Sequence, residues 1–246
     1  MDEAHELAGL RRYGMGRRAF ATTSLIAGFT LATTRVEAQA IHTDAKGLKT
    51  GETKIPVKDG DLPAYFAHPA KGGPFPIVLV NEEVFGVHEY IKDVCRRFAK
   101  AGYMAVAAEY YARQGDITKV TSQQQLMADF IGKTPDAQYM ADLDAVADWA
   151  GSHGGDLSRL GVMGFCRGGR QTWLYATHNP HLKAAVSFYG PVDGKTSPIQ
   201  PKTVLDIAGD IQCPLLGLYG GKDALNPVNE VHQVEAEAKS HHKVVE

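Results

Sequence analysis

Cysteine is scarce in this sequence. Its 246 residues include three, Cys95, Cys166 and Cys213. They are too few and too scattered for a disulfide framework, and none has the spacing of a metal site. The odd count leaves at least one thiol unpaired. A surplus of one charge is also missing: 26 Lys and Arg face 28 Asp and Glu, for a net charge of −2. With no basic tract in the body of the chain, a nucleic-acid footprint is not expected. No sequence motif calls for a metal or an organic cofactor. Long hydrophobic runs are absent as well. Residues 21–32 form a mildly apolar stretch, but it is shorter than the roughly 20 residues a spanning helix needs. Repeats and low-complexity tracts are lacking. What is present is ordinary for a soluble globular protein, 44% hydrophobic and 22% charged residues. The length suits one large α/β domain or two small ones.

Residues 1–40 read as a separate object. Arg17-Arg18-Ala19-Phe20 precedes the mildly apolar run, and Ala38-Gln39-Ala40 has the small-x-small form of a cleavage site. Paired arginines before a weakly hydrophobic segment resemble a twin-arginine export signal. An ordinary secretory signal or a disordered tail is the alternative, and Gly16 stands where the usual motif has Ser or Thr. On the export reading, the protein uses the twin-arginine machinery and works in a bacterial periplasm. Its folded domain is then residues 41–246.

From residue 54 onward, strand and helix signals alternate. Short strands over 54–57 and 63–67 flank an Asp59-Gly60-Asp61 turn. Pro76-Ile77-Val78-Leu79-Val80 reads as a strand buried on both faces. It ends in Asn81-Glu82-Glu83, a pair of glutamates that is either a site or a solvated loop. Helical spacing covers 88–101, 119–131, 136–153, 169–177 and 228–240. Further strands are expected over 104–111, 160–165, 182–190 and 213–220, and residues 242–246 begin another. Helices of ten or more residues between β-branched runs imply a mainly parallel sheet covered on both faces.

The stretch around which this pattern is organised is Leu160-Gly161-Val162-Met163-Gly164-Phe165-Cys166-Arg167-Gly168-Gly169. Gly164-x-Cys166-x-Gly168 has the form of a nucleophile elbow with cysteine at its apex. Glycine two positions to either side removes clashes in a tight strand-to-helix turn. The backbone N–H groups of the following helix favour a thiolate there. The competing reading makes Cys166 one more buried cysteine. An elbow in the middle of a parallel sheet points to an α/β-hydrolase.

Four separated motifs, in order, resemble the dienelactone hydrolase (carboxymethylenebutenolidase) family. They are Asn81-Glu82-Glu83-Val84-Phe85-Gly86, Glu109-Tyr110-Tyr111-Ala112-Arg113-Gln114, Gly164-Phe165-Cys166-Arg167-Gly168-Gly169 and Tyr219-Gly220-Gly221-Lys222-Asp223. The resemblance implies that Cys166 attacks a lactone or ester carbonyl, forming an acyl-enzyme without a cofactor. Asp223 would orient a histidine, and Glu83 would contact the resting thiol and take its proton. Arg113 would hold a substrate carboxylate, and the backbone N–H groups of Val84 and Arg167 would form the oxyanion hole. The side chain at Arg167 departs from the apolar or aromatic residue usual at that place. The triad histidine is expected after a further strand, beyond Asp223. His232, His241 and His242 fall too early and read as helix-surface or helix-end residues. The sequence is therefore expected to lack the last strand and helix of the domain and to turn over poorly.

Two other functions stay in view. One is a non-catalytic periplasmic relative that binds a small molecule. The other is thiol redox work, disfavoured because no Cys-x-x-Cys or neighbouring resolving cysteine exists. Neither the substrate nor the oligomeric state is written in the sequence.

Overall fold

The computed structural model describes residues 42–120 and 122–246; the export-signal reading of residues 1–40 lies outside them. Among the described residues seven strands form one sheet in the order β1-β2-β4-β3-β5-β6-β7. They are β1 (Leu48–Val57), β2 (Gly60–Pro69), β3 (Phe75–Asn81), β4 (Met104–Ala108), β5 (Gly155–Phe165), β6 (Ala184–Phe188) and β7 (Leu215–Leu218). The four principal helices are α1 (Glu89–Lys100), α2 (Asp136–Ser152), α3 (Arg167–His178) and α4 (Val228–Ser240). The β1–β2 hairpin and its pairing to β4 are antiparallel, and β4-β3-β5-β6-β7 run parallel. Among the described residues no helix is long and apolar enough to cross a membrane.

Strand alternation builds the two layers. On β3, Ile77 and Leu79 enter the core beneath α2 and α3, while Val78 and Val80 enter the one beneath α1. On β5, Leu160 and Val162 face the first core, and Met163 and Phe165 face the second. A strand buried on both faces needs no polar alternation, which is why β3 reads as an unbroken apolar run. Cys95 lies fully buried in the α1 layer, as its place next to the apolar face of that helix suggests.

The architecture is the expected α/β-hydrolase sheet, with helices on both faces. The hairpin strands are longer than the short runs anticipated, pairing with each other over ten residues and carrying exposed polar residues along β1, the edge of the sheet. The larger difference is at 119–131, where a single helix is expected. The chain instead makes short turns: a 3₁₀ turn at Ile117–Lys119, one α-helical turn at Gln123–Gln125, a π-helical turn at Leu126–Phe130 and a 3₁₀ turn at Ile131–Lys133. The wide turn lets Leu126, Phe130 and Ile131 all reach the core. Gly132 closes it, since a Cβ there would lie 2.8 Å from the Met127 carbonyl oxygen. Beyond α4, Val245 forms a parallel bridge to Leu215, placing the start of the expected further strand beside β7.

Candidate active site at the strand-to-helix elbow

β5 runs straight into α3 through Cys166, whose φ of 51° and ψ of −119° are a strained combination for a residue with a side chain. The strain is held by packing around it. A Cβ on Gly164 would come within 2.3 Å of the Gly168 carbonyl oxygen, and one on Gly168 within 2.3 Å of the Glu82 carbonyl oxygen. The two glycines thus allow β5, α3 and the end of β3 to meet backbone to backbone. The Cys166 N–H donates to the Phe188 carbonyl at 2.9 Å, tying the apex to the neighbouring strand end. Asn81 donates to the Thr172 hydroxyl at 3.3 Å and locks the first turns of α3 to β3.

The thiol of Cys166 is neutral at rest. Burial pushes its pKa up to about 11; the Arg167 N–H pulls it down, and the Glu83 charge raises it further. The helix N-terminus favours a thiolate, as the elbow pattern suggests, but desolvation outweighs it. Sign-wise, a raised thiol pKa means that the proton leaves only in strongly alkaline solution or when another base removes it.

Glu83 lies at the end of β3, 2% exposed. Its Oε2 is 3.1 Å from Nε2 of His88, at the N-cap of α1. The expected resting partner of Glu83 is the Cys166 thiol; the structure places its hydrogen bond on His88 instead. Glu83 still lies close enough for its charge to act on both Cys166 and Tyr189. Val84 follows, and its N–H has no backbone acceptor among the described residues. With the Arg167 N–H directed at the thiol, it makes up the pair expected from the sequence to form an oxyanion hole. Asp223, just beyond β7, adds a weaker charge effect on Cys166. Its Oδ1 accepts from Leu225 N at 2.8 Å and its Oδ2 from the buried Asn226 amide at 3.0 Å. No histidine bonds Asp223 among the described residues. His232 and His241 pair with Glu235 and Glu237 of their own helix, the surface roles foreseen for them.

Arg113 is ion-paired on two sides in this structure. As a substrate anchor it would need free donors facing the elbow. It is instead gripped by two carboxylates: Nε and Nη2 bond Asp59 in the β1–β2 turn, while Nη1 and Nη2 bond Asp142 on α2 at 2.7 and 2.9 Å. The guanidinium fastens the hairpin to α2. Of the glutamate pair at the end of β3, Glu82 is also structural. It is fully buried, its carboxylate accepts from Tyr110 N at 3.0 Å, and burial beside Glu109 drives its pKa well up.

Three features have no warning in the sequence. His88 meets Glu83 only because the chain folds back into α1. Tyr189, at φ 41°, sets its partly buried ring near the elbow. The side chain of Arg167 turns inward beside Tyr111 and Tyr139. A separate groove, lined by Trp173, Tyr219, Val228, Val231 and Val245, contains none of these residues.

A parallel sheet carrying a glycine-flanked cysteine elbow, with a carboxylate at the end of the adjoining strand, defines an α/β-hydrolase. Comparison with known proteins narrows this. Residues 62–246 match the Dienelactone hydrolase family. The chain is 53% identical over 223 residues to a protein of Methylorubrum extorquens named "Putative carboxymethylenebutenolidase", covering 90% of this chain and 77% of that one. A protein of the same name from Salmonella typhimurium is 48% identical over 211 residues, covering 85% and 78%. Among solved structures, the "Putative Dienelactone Hydrolase" of Klebsiella pneumoniae superposes with a TM-score of 0.79 at 49% identity, covering 80% of this chain and 83% of that one. The chain belongs to the dienelactone hydrolase family and is a hydrolase of that fold.

Proposed function

We propose that the protein hydrolyses a small lactone or ester with Cys166 as nucleophile, through an acyl-enzyme. The observation that carries this reading is the strained Cys166 apex, held between two glycines that a side chain would drive into backbone. In the proposed cycle Glu83, exchanging its bond to His88, takes the thiol proton as substrate enters. The thiolate sulfur adds to the carbonyl carbon. The carbonyl oxygen gains the negative charge and is met by the N–H groups of Val84 and Arg167. Collapse of that intermediate expels the alkoxide oxygen, which takes up a proton, and leaves the thioester. Water then attacks the thioester, and the thiol is regenerated. His88 serves as a positioning residue that holds Glu83 until then; a neutral resting thiol is also harder to oxidise.

Asp223 carries no histidine among the described residues. In the proposed cycle thioester hydrolysis is the slower half, with acylation outpacing it. The test is rapid mixing of this chain with dihydrocoumarin, a neutral lactone, followed by intact-mass and peptide analysis. A single adduct on Cys166, decaying slowly and absent in Cys166→Ala, is expected. Turnover unchanged by Cys166→Ala would sink the proposal. Residues 1–40 are proposed to direct export by the twin-arginine route to the periplasm. Replacing Arg17 and Arg18 by lysine should hold a tagged chain in the cytoplasm, and unchanged export would refute this route.

A further inference from the structure

Two acids lie side by side beneath the loop that carries Glu83 and Val84. β3 and β4 are parallel neighbours, with Leu79 opposite Val106. Further along that register Glu82 comes opposite Glu109. Glu82 is fully buried, and its two oxygens are served unequally. Oε1 accepts from Tyr110 N at 3.0 Å, whereas no donor reaches Oε2. A buried carboxylate oxygen without a donor is costly. The side chain that Glu82 does meet is another acceptor, the Glu109 carboxyl. Two carboxyl groups can hydrogen-bond to each other only through a proton.

The surroundings decide which acid carries it. Glu109 is partly exposed, accepts from Val87 N at 2.8 Å and feels the positive charge of Lys92 and of His88 when protonated. Lys92 itself bonds Glu52 on β1, and His88 is turned to Glu83. The charges that raise the Glu82 pKa are those of Glu109 and Glu83, both negative. Burial keeps the neighbouring hydroxyls of Tyr110, Tyr111 and Tyr139 un-ionised. The proton therefore belongs on Glu82 and the charge on Glu109. Glu109 in turn grips the loop. Besides the Val87 bond, its Oε2 lies so near Gly86 that a Cβ there would come within 2.9 Å, and Gly86 has a φ of 82° that side chains avoid. A cavity of about 190 Å³, lined by Glu109, Tyr111, Gly115, Asp116 and Ile117, adjoins the outer acid and gives the proton a route to solvent. Asp116 is paired there with Lys119 at 3.0 Å.

We propose that Glu82 and Glu109 share one proton, and that this acid pair positions the 83–88 loop for reaction at Cys166. With the proton on Glu82, Glu109 holds the loop through Val87 and Gly86. When hydroxide removes the proton, two buried anions repel, and the loop is released with Glu83 and Val84. Glu82 keeps its proton above the usual carboxyl range, so the hold persists at neutral pH and fails in alkaline solution. The positioning role rests on Cys166 as the nucleophile; the shared proton does not.

Two measurements test the proton and the loop separately. Infrared spectra of the full chain near neutral pH read the carbonyl stretch of un-ionised carboxyl groups, which shifts in heavy water. Glu82→Gln, whose amide can make the same two bonds, should remove the contribution of one such group; an unchanged spectrum overturns the shared proton. The loop is read from the rate of Cys166 acylation by dihydrocoumarin divided by its rate of alkylation by iodoacetamide, both followed by peptide mass spectrometry. Alkylation needs the thiolate but no oxyanion hole, so the ratio cancels the ionisation of the thiol. In the wild-type chain the ratio should fall at least about tenfold in alkaline solution, the scale of a reacting group displaced from its position. Glu82→Gln should keep the neutral-pH ratio and abolish the fall. Glu82→Leu, which cannot hold Glu109, should show the low ratio at every pH. A fall that survives Glu82→Gln overturns the positioning role. So does a neutral-pH ratio that drops equally in the Gln and Leu variants, or one that stays at the wild-type value in Glu82→Leu. Acylation absent from the wild-type chain at every pH, with the infrared contribution of Glu82 present, would defeat the hydrolase reading and leave the shared proton standing.

Discussion

Arg113 and Arg167 make an instructive pair. Both follow strand ends at the same rim of the sheet, and both are largely withdrawn from solvent, 20% and 14% exposed at the side chain. Arg113 sits between Asp59 and Asp142 with most of its N–H donors engaged. Arg167 has Asp136 in reach, but that carboxylate is held by Arg170. The first arginine is a rivet between hairpin and helix, and the second lies against Tyr111 and Tyr139 at the edge of another arginine's ion pair. An arginine's availability is decided by which carboxylates the fold delivers to it, and its position along the chain does not reveal that.

The sharpest way to break the comparison is at the sulfur between these regions. Cys166→Ala should lower acyl-transfer activity by about 10³-fold or more, since a nucleophile acting as a unit with its neighbours is lost outright; retained activity would place the chemistry elsewhere. Next comes the frame that holds the elbow. Gly168→Ala drives a Cβ into the Glu82 and Asn81 carbonyl groups at 2.3 and 2.6 Å. It should cost on the order of 3 kcal/mol or more in denaturant unfolding, and a neutral result would contradict the backbone contact.

Arg113→Ala should cost about 3 kcal/mol, because it strands the buried Asp142 carboxylate. Burial already raises the Asp142 pKa, and Arg113 works against that rise. A raised carboxyl pKa makes the folded state hold its proton longer, so stability falls as pH rises above the unfolded value. The deficit of the variant should therefore shrink from pH 8 to pH 5, measured by urea midpoints; a constant deficit would mean that Asp142 is not the stranded group. Arg167→Leu should act in the opposite direction, raising stability by about 1 kcal/mol through removal of an uncompensated buried charge. A loss of stability would show that the guanidinium has a structural partner. The gentlest probe is pH. Alkylation of Cys166 by iodoacetamide should keep rising toward pH 11, where an ordinary cysteine levels off about two units lower. An inflection near 8 would show that the helix N-terminus outweighs burial.

Much of the architecture was legible in local pattern. The β-branched run at 76–80, the elbow glycines and the helical spacing over 136–153 and 228–240 each carry their own geometry. The segment 119–131 misled because the same apolar spacing can be satisfied by an α-helix or by a wide turn. The choice was made by a core that needed Leu126, Phe130 and Ile131 on one side. In the site, Cys166 and Glu83 could be picked out from strand ends. The Glu83–His88 bond and the Tyr111–Tyr139–Arg167 cluster could not, since their members lie on different elements and share no spacing.

By itself the sequence determined the sheet, the elbow and the identity of the thiol, because backbone strain and strand burial are written in residues adjacent along the chain. Only the tertiary structure decided the state of that thiol and the uses of the two arginines. Desolvation and ion pairing depend on groups that become neighbours after folding, and it is those neighbours that raise the Cys166 pKa, occupy Arg113 and set Arg167 beside Tyr111 and Tyr139.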